Sequence, residues 1–574
     1  MTPVELVWRR RATLTGLLFV FAILPAALVA VIINRYAVDV PYADEWKVID
    51  LIERWHAQQL TFSDLYVAHN GHRIVLPRLI FLGLLQFSRG DLRAEMLCSL
   101  VVCFLTSVGI YLVLTRTVVG ATVEHLALWA LTNVFLFSPI QAENWLWGFQ
   151  LQVFLSNCGL IGALVCLSGR AADTPRLAAA AAFAVAATFS FGNGLLVLPA
   201  GFLMLVCRRE KRSVIAIWLL VALLVIIAYT RNYPGQDPHP ATVQPSDYPL
   251  YFAAFIGAPL ARIPNSHPLV LPVAVGTILM AAFAWSSVRL IRRPPRELYT
   301  AAPWLALGAY VLGSAAMATV ARVHTGPMHA LDSRYTTVSM MLVVSVIGLR
   351  ASQSMRHPAK RTDALVGGAL VGILLLLYAI NVPSEFRYLR LSHSARSLGK
   401  AALEFSAILP LDGQLRAALL IKDDADTLTR RLNALDRFGL LSPPRRTTDI
   451  LQDGEGRPKR ATPEYGTFEG VFSATASFVA SGWAYLPVDA RPPPCVLLAC
   501  RSDDEWKAFA FANVNQSRTD LVTRYESRSY LEAGWKQSFA RGIVPAGAQE
   551  VSAWVLDEQD GHTYRLPGSF VLPP

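Results

Sequence analysis

The chain is short of charge. Only 16% of its 574 residues are Asp, Glu, Lys or Arg, while 53% are hydrophobic, and mean hydropathy is +0.39. A water-soluble chain of this length would need far more charge to cover its surface, so this composition points to membrane spans. Seven cysteines are present, and none has the spacing of a zinc site. Cys98, Cys103, Cys158, Cys166 and Cys207 fall in apolar runs and act as small hydrophobes. Cys495 and Cys500 flank the strand-like stretch CVLLAC, where odd spacing sets them on opposite faces and argues against a bond between them. A P-loop and a dinucleotide fingerprint are both missing, so the sequence supports no ATP-driven role. Internal repeats and low-complexity runs are missing as well.

What the chain has instead is a series of long uncharged runs. The first, 13–33, follows Arg9, Arg10 and Arg11 and is too long for a signal-peptide core; it is read as a retained anchor with its N-terminus in the cytoplasm. Others cover 96–115, 125–140, 149–168, 177–207, 213–230, 268–288, 302–321, 336–349 and 364–382. The 177–207 run is broken by Phe191-Gly192-Asn193-Gly194 and has basic residues at both ends: Arg170 and Arg176 before it, Arg208, Arg209, Lys211 and Arg212 after. Equal flanks require an even number of crossings, so this run is read as a hairpin, its Gly-Asn-Gly turn using the tolerance of those residues for positive φ. The segments 74–87 and 249–262 are read as helices lying at the outer surface. The result is about eleven spans, N-terminus inside and C-terminus outside, which puts Arg116, the 208–212 cluster, Arg292, Arg293, Arg296 and the 350–361 stretch in the cytoplasm. The formal charge of +11 is thereby explained by loops that obey the positive-inside rule, not by nucleic acid.

The organisation expected is a polytopic α-helical domain over 1–383 with a first periplasmic loop at 34–95, a helical periplasmic region over 384–461, and an accessory β-sandwich over 462–574. The last follows from alternating stretches such as FVASGWAYLP and VSAWVLDE separated by turn residues. The tail's tryptophans read as sandwich core, and no catalytic pattern appears there. The compartment expected is the bacterial inner membrane.

The outer loops concentrate the chemistry. Asp44 and Glu45 follow the first span between Tyr42 and Trp46; a carboxylate here can take a proton from a hydroxyl, or simply begin a helix. His69, Asn70, His72 and Arg73 form a second group, whose His-x-x-His spacing could hold a metal, contact a phosphate or cap the next helix. Glu143 and Asn144 precede Trp145, Trp147 and Phe149, a pattern shared by membrane-interface belts and sugar sites. Arg322, His324 and Arg334 occupy one loop, where cations suit either a phosphate or anionic lipid head groups. Asp332 and Arg334 read equally well as a local ion pair.

An acidic pair directly after the first span, in a chain of this plan, resembles the GT-C class of membrane glycosyltransferases, which includes the protein O-mannosyltransferases and the lipid A aminoarabinose transferases. The resemblance covers the general plan of the chain, and the one motif that carries over is Asp44-Glu45. It implies a GT-C-like fold and an inverting transfer of a hexosyl or pentosyl group from a polyprenyl-phosphate donor to a glycan, lipid or protein acceptor, with no cofactor required and a metal kept only as an alternative. Asp44 or Glu45 would be the base. Arg322, His324, Arg334, His72 and Arg73 would bind the donor phosphate, and His69, Glu143 and Trp145 the substrate. HNGHR, ENWLWGFQ, SFGNG and ALDSRY also resemble bacterial membrane proteins that bring no activity with them. The competing readings are a flippase or exporter subunit for a polysaccharide precursor, and an O-antigen-type polymerase or ligase with a lipid-diphosphate donor. Spans nearly free of charge argue against translocation.

Overall fold

The computed structural model describes residues 3–169, 173–233, 243–262, 266–354, 361–409, 411, 413–453, 465–487, 489–502, 504–545, 548, 550–557 and 562–572. Arg170, most of the 231–240 loop, part of the 350–361 stretch and the first residues expected in the β domain lie outside this set. The chain forms two compact units. The first holds Met1–Ala37, Leu51–Ser88 and Leu92–Leu389; the second holds Val38–Asp50, Arg89–Asp91 and Arg390–Pro574.

Unit 1 is helical. Among the described residues nine helices are long and apolar enough to cross a membrane: Arg11–Tyr36, Arg93–Thr117, Thr122–Leu146, Gly148–Leu167, Arg212–Thr230, Val270–Ile291, Pro295–Thr325, Ser333–Gln353 and Gly367–Glu404. The expected hairpin is built from shorter arms, Thr174–Thr188 and Val197–Cys207, joined through the 3-10 turn Gly192–Leu196. Its glycines serve close approach and not positive φ. A Cβ on Gly194 would stand 1.9 Å from the Ala187 carbonyl oxygen, and one on Gly192 would stand 2.4 Å from His72 Nδ1.

The Asp247–Ala261 helix, expected at the outer surface, differs from an exposed helix in its packing. Its residues from Tyr251 to Ala261 are almost all buried. Small residues explain the difference: a Cβ on Gly257 would meet the Pro272 carbonyl oxygen at 1.9 Å, and one on Gly276 the Ala253 oxygen at 1.9 Å. Two backbones that close pack without room for side chains between them, the usual way helices associate inside a bilayer.

Unit 2 joins what the sequence suggests as separate pieces. Among the described residues eight strands are formed: β1 (Ile450–Leu451), β2 (Gly466–Ser473), β3 (Ser477–Ala484), β4 (Cys495–Ser502), β5 (Glu505–Gln516), β6 (Gly534–Ala540), β7 (Glu550–Leu556) and β8 (Thr563–Val571). They make one antiparallel sheet in the order β2-β3-β6-β5-β4-β7-β8, with β1 on β5. A sandwich would need two facing sheets. Here the long β5 pairs with β4 along its length and, past a bulge, with β6 near its end, so the sheet curls on continuously. It comes close to closing, because Tyr465 stacks on Tyr564 at 4.6 Å and Phe468 meets Phe570 at 4.9 Å between the edge strands. The result is a near-barrel.

The inside of that curl is packed by Phe468, Phe478, Val496, Leu498, Cys500, Trp535 and Val555 among others. The outside of β4 and β7 is covered too, by Leu398, Ala401 and Ala402 from the end of the Arg361–Glu404 helix and by Phe405 just past it. β4 is therefore buried on both faces, which is why CVLLAC reads as a continuous apolar run. Cys495 belongs to the outer cluster and Cys500 to the inner one, as their odd spacing predicts. A third cluster draws in Val38, Val40, Trp46 and Ile49, which pack with Leu403, Leu419, Leu428, Leu432 and Leu435. The stretch that carries Asp44 and Glu45 is thus part of the core of unit 2.

Candidate functional site

In the acidic pair the two carboxylates differ. Glu45 is buried, and its Oε2 accepts a hydrogen bond from the Tyr42 backbone N–H at 2.8 Å, capping the 3-10 turn Ala43–Lys47. Asp44 is partly exposed, with Lys47 Nζ at 3.8 Å. Glu45 has a structural task, and Asp44 is the more accessible carboxylate of the two.

The other candidates lie in unit 1. His69 and His72 close a two-residue hairpin: His69 N–H donates to His72 O at 2.7 Å and His72 N–H to His69 O at 2.8 Å. Asn70 and Gly71 sit at its corner with φ 47° and 78°, the mirror-image turn for which Asn-Gly is the strongest short signal. The His-x-x-His spacing is a consequence of that turn. Among the described residues no group of three or more His, Cys, Asp or Glu is placed to hold a metal ion.

Arg73, expected at a phosphate, is engaged by the protein itself. Its Nε donates to Tyr229 O and its Nη1 to Tyr66 O, both at 2.6 Å, and its Nη2 donates to Arg231 O. The guanidinium lies 3.9 Å from the centre of the Tyr66 ring. Arg78, one turn on, ties Leu65 O and Val67 O at 2.7 and 2.6 Å. These two buried arginines organise the loop by collecting carbonyls that no helix or strand uses.

Trp145, expected to touch substrate, is 0% exposed. Its Nε1 donates to Ser138 O at 2.9 Å and its ring stacks on Phe154 at 4.7 Å. It is core, with no face left for a ligand. The neighbouring residues behave differently. Asn144 Nδ2 donates to Arg334 O at 3.0 Å and to Thr337 Oγ1 at 2.6 Å, fastening ENWLWGFQ to ALDSRY. Glu143 remains partly accessible and interacts electrostatically with Arg334 and Glu385. Arg334 is paired with Asp332, as the local ion-pair reading has it, and its ring neighbour is Tyr335 at 5.5 Å. Arg262, which sequence reasoning passed over, bonds Ile140 O at 2.9 Å, Leu331 O at 3.2 Å and Glu385 at 2.7 Å, so it ties ALDSRY to the turn that precedes ENWLWGFQ. A lone arginine at the end of an apolar run was the signal that could have flagged it.

At the other end of ENWLWGFQ, Phe149 contacts His69 with centroids 5.0 Å apart, and Trp147 follows at 6.0 Å from Phe149. His72 lies 4.5 Å from Phe191 of SFGNG. Arg322 acts electrostatically on His72, and its guanidinium has no acidic or hydrogen-bonding partner among the described residues. Burial, then Arg322, then His69 push the His72 imidazole down from its ordinary value to about 4, so it is neutral at physiological pH. His324 sits on the adjoining 3-10 turn Val323–Thr325. Four motifs far apart in sequence therefore meet: HNGHR touches ENWLWGFQ and SFGNG, ENWLWGFQ touches ALDSRY, and Arg322 stands beside His72.

No family model, no curated protein and no solved structure matches this chain.

Proposed function

We propose that the chain is an inverting, GT-C-like glycosyltransferase that moves a sugar from a polyprenyl-phosphate donor to a glycan, lipid or protein acceptor. The observation that carries this reading is the meeting of four polar motifs in unit 1, with His72 among them under the electrostatic influence of Arg322, an arginine without an acid partner among the described residues, while Arg73, Arg78, Arg262 and Arg334 are committed to carbonyls or carboxylates. The arrangement suits phosphate recognition next to a bilayer. In the reaction the acceptor oxygen bonds the anomeric carbon while the bond from that carbon to the phosphate oxygen breaks. The acceptor proton goes to a carboxylate, and the leaving phosphate gains a charge that a cation stabilises. Asp44 is the carboxylate that the resemblance assigns. Glu143, close in electrostatic terms to Arg334, is the second candidate. In this reading the hairpin arms complete eleven spans, the N-terminus is cytoplasmic, and the β domain from 462 is an accessory region in the periplasm of a bacterial inner membrane.

The test is complementation of a chromosomal deletion with wild type, Asp44→Asn, Glu45→Gln and Glu143→Gln, read by mass spectrometry of surface glycans and glycolipids. Loss of one sugar mass in the deletion, left unrestored by Asp44→Asn or Glu143→Gln at normal membrane level, supports the transferase. Full restoration by every variant removes it and returns the exporter reading.

A further inference from the structure

The two ring nitrogens of His72 face different surroundings. Nδ1 is buried and has no hydrogen-bond partner among the described residues. It rests against the backbone of Gly192, so closely that a Cβ there would stand 2.4 Å away. The residue as a whole is only part-buried, so the side that remains accessible is the one carrying Nε2. A neutral imidazole has one N–H and one lone pair. A proton on Nδ1 would be a buried donor driven into a glycine with nothing to accept it, whereas a lone pair there costs less. The proton belongs on Nε2, at the accessible edge of a ring within the electrostatic reach of Arg322. His69 and Arg322 are the titratable and charged groups acting on the ring, and neither is an acid that would draw a second proton onto it.

We propose that His72 binds a phosphoryl oxygen as a neutral Nε2–H donor, with Arg322 supplying the charge; the inference rests on the lipid-phosphate reading above and names the contact that reading requires. A neutral donor next to one cation strengthens as charge develops on the departing phosphate. Gly192 is then the residue that fixes the tautomer, because it leaves Nδ1 no acceptor.

The full chain in detergent, labelled with 15N-histidine, tests this. The ring nitrogen shifts of His72, identified by their loss in His72→Gln, report the tautomer. Binding is measured with farnesyl phosphate, inorganic phosphate and farnesol. Glutamine sets its amide nitrogen near the place of Nε2, and asparagine near that of Nδ1. The expected result is a neutral ring protonated on Nε2 through about pH 6–8, shifted by farnesyl phosphate and not by farnesol. His72→Gln should bind within about threefold of wild type, while His72→Asn and the surface change Arg322→Ala weaken binding about tenfold. A proton on Nδ1, an imidazolium at neutral pH, or His72→Asn binding as well as His72→Gln overturns the proposal. Equal affinity for inorganic phosphate keeps the phosphoryl site and removes the lipid donor. Failure of both phosphates to bind removes the site, while the glycan profile of the deletion decides the transferase separately.

Discussion

The arginines at the HNGHR turn of unit 1 and those packed into unit 2 are held by different means. In unit 1 the buried guanidinium groups of Arg73 and Arg78 are satisfied by backbone carbonyls, three for the first and two for the second. In unit 2 carboxylates do it: Arg431 takes Asp50 with Nε at 3.0 Å and Nη2 at 2.7 Å and also pairs with Asp423, Arg446 takes Glu404 at 2.6 Å, and Arg518 takes Glu469 at 2.9 Å. A carbonyl satisfies the hydrogen bonds of an arginine without cancelling its charge. A carboxylate does both. Arg73 and Arg78 therefore keep their positive charge beside HNGHR, which is what an anion site needs, while Arg431, Arg446 and Arg518 in unit 2, like Arg262 and Arg334 in unit 1, are each neutralised by a carboxylate.

The comparison can be broken most forcefully at Arg73. Arg73→Leu leaves one buried and two part-buried carbonyls without donors and should cost about 3 kcal/mol, seen as loss of a monodisperse peak in detergent; Arg322→Ala should leave that peak unchanged. In unit 2, Arg431→Ala leaves Asp423 without its arginine and Asp50 with Arg430 alone, and because Asp50 is partly solvated it should cost only about 1–2 kcal/mol. A double-mutant cycle with Asp50→Asn should return a coupling above about 1 kcal/mol, measured by thermal unfolding.

Acid should separate the units. Burial raises Asp50, but the hydrogen bonds from Arg431 and Arg430 outweigh it and hold its carboxyl below the usual range. Its contribution is present above the unfolded value near pH 3.9 and is lost as pH falls through the folded value. His72 is depressed to about 4, so its contribution is complete above the unfolded value near pH 6.5 and is lost as pH falls toward 4. Hydrogen exchange should show unit 1 loosening first on acidification, with unit 2 following only below about pH 4, and His72→Gln should remove the early phase. The smallest effect concerns the acidic pair. Glu45→Gln weakens a capping bond and should cost about 1 kcal/mol, whereas Asp44→Asn should change the melting temperature by the equivalent of less than about 0.5 kcal/mol.

Periodicity and composition made the apolar helices and most strands readable, because burial in lipid or in a sheet leaves a local pattern. The course of 38–50 was not readable. Val38, Val40, Trp46 and Ile49 are scattered among charged residues, and only the distant leucines at 403–435 make them a core. The same limit governed the arginines. Arg73 and Arg322 look alike in sequence, and what separates them is supplied by Tyr66, Tyr229 and Arg231. For Trp145 the aromatic cluster was legible, but its inward aim was set by Ser138 and Phe154. The curl of the sheet depended on bulges in β5, which leave no clear trace in an alternation pattern.

β4 carries a thiol into each of two separate cores, Cys500 inside the curl and Cys495 beneath the helix, and both are 0% exposed. A small alkylating reagent can reach the first only when the sheet opens and the second only when the helix lifts. Two labelling rates from neighbouring positions on one strand would therefore time those two openings independently, so the native cysteines form a pair of clocks that needs no engineered probe.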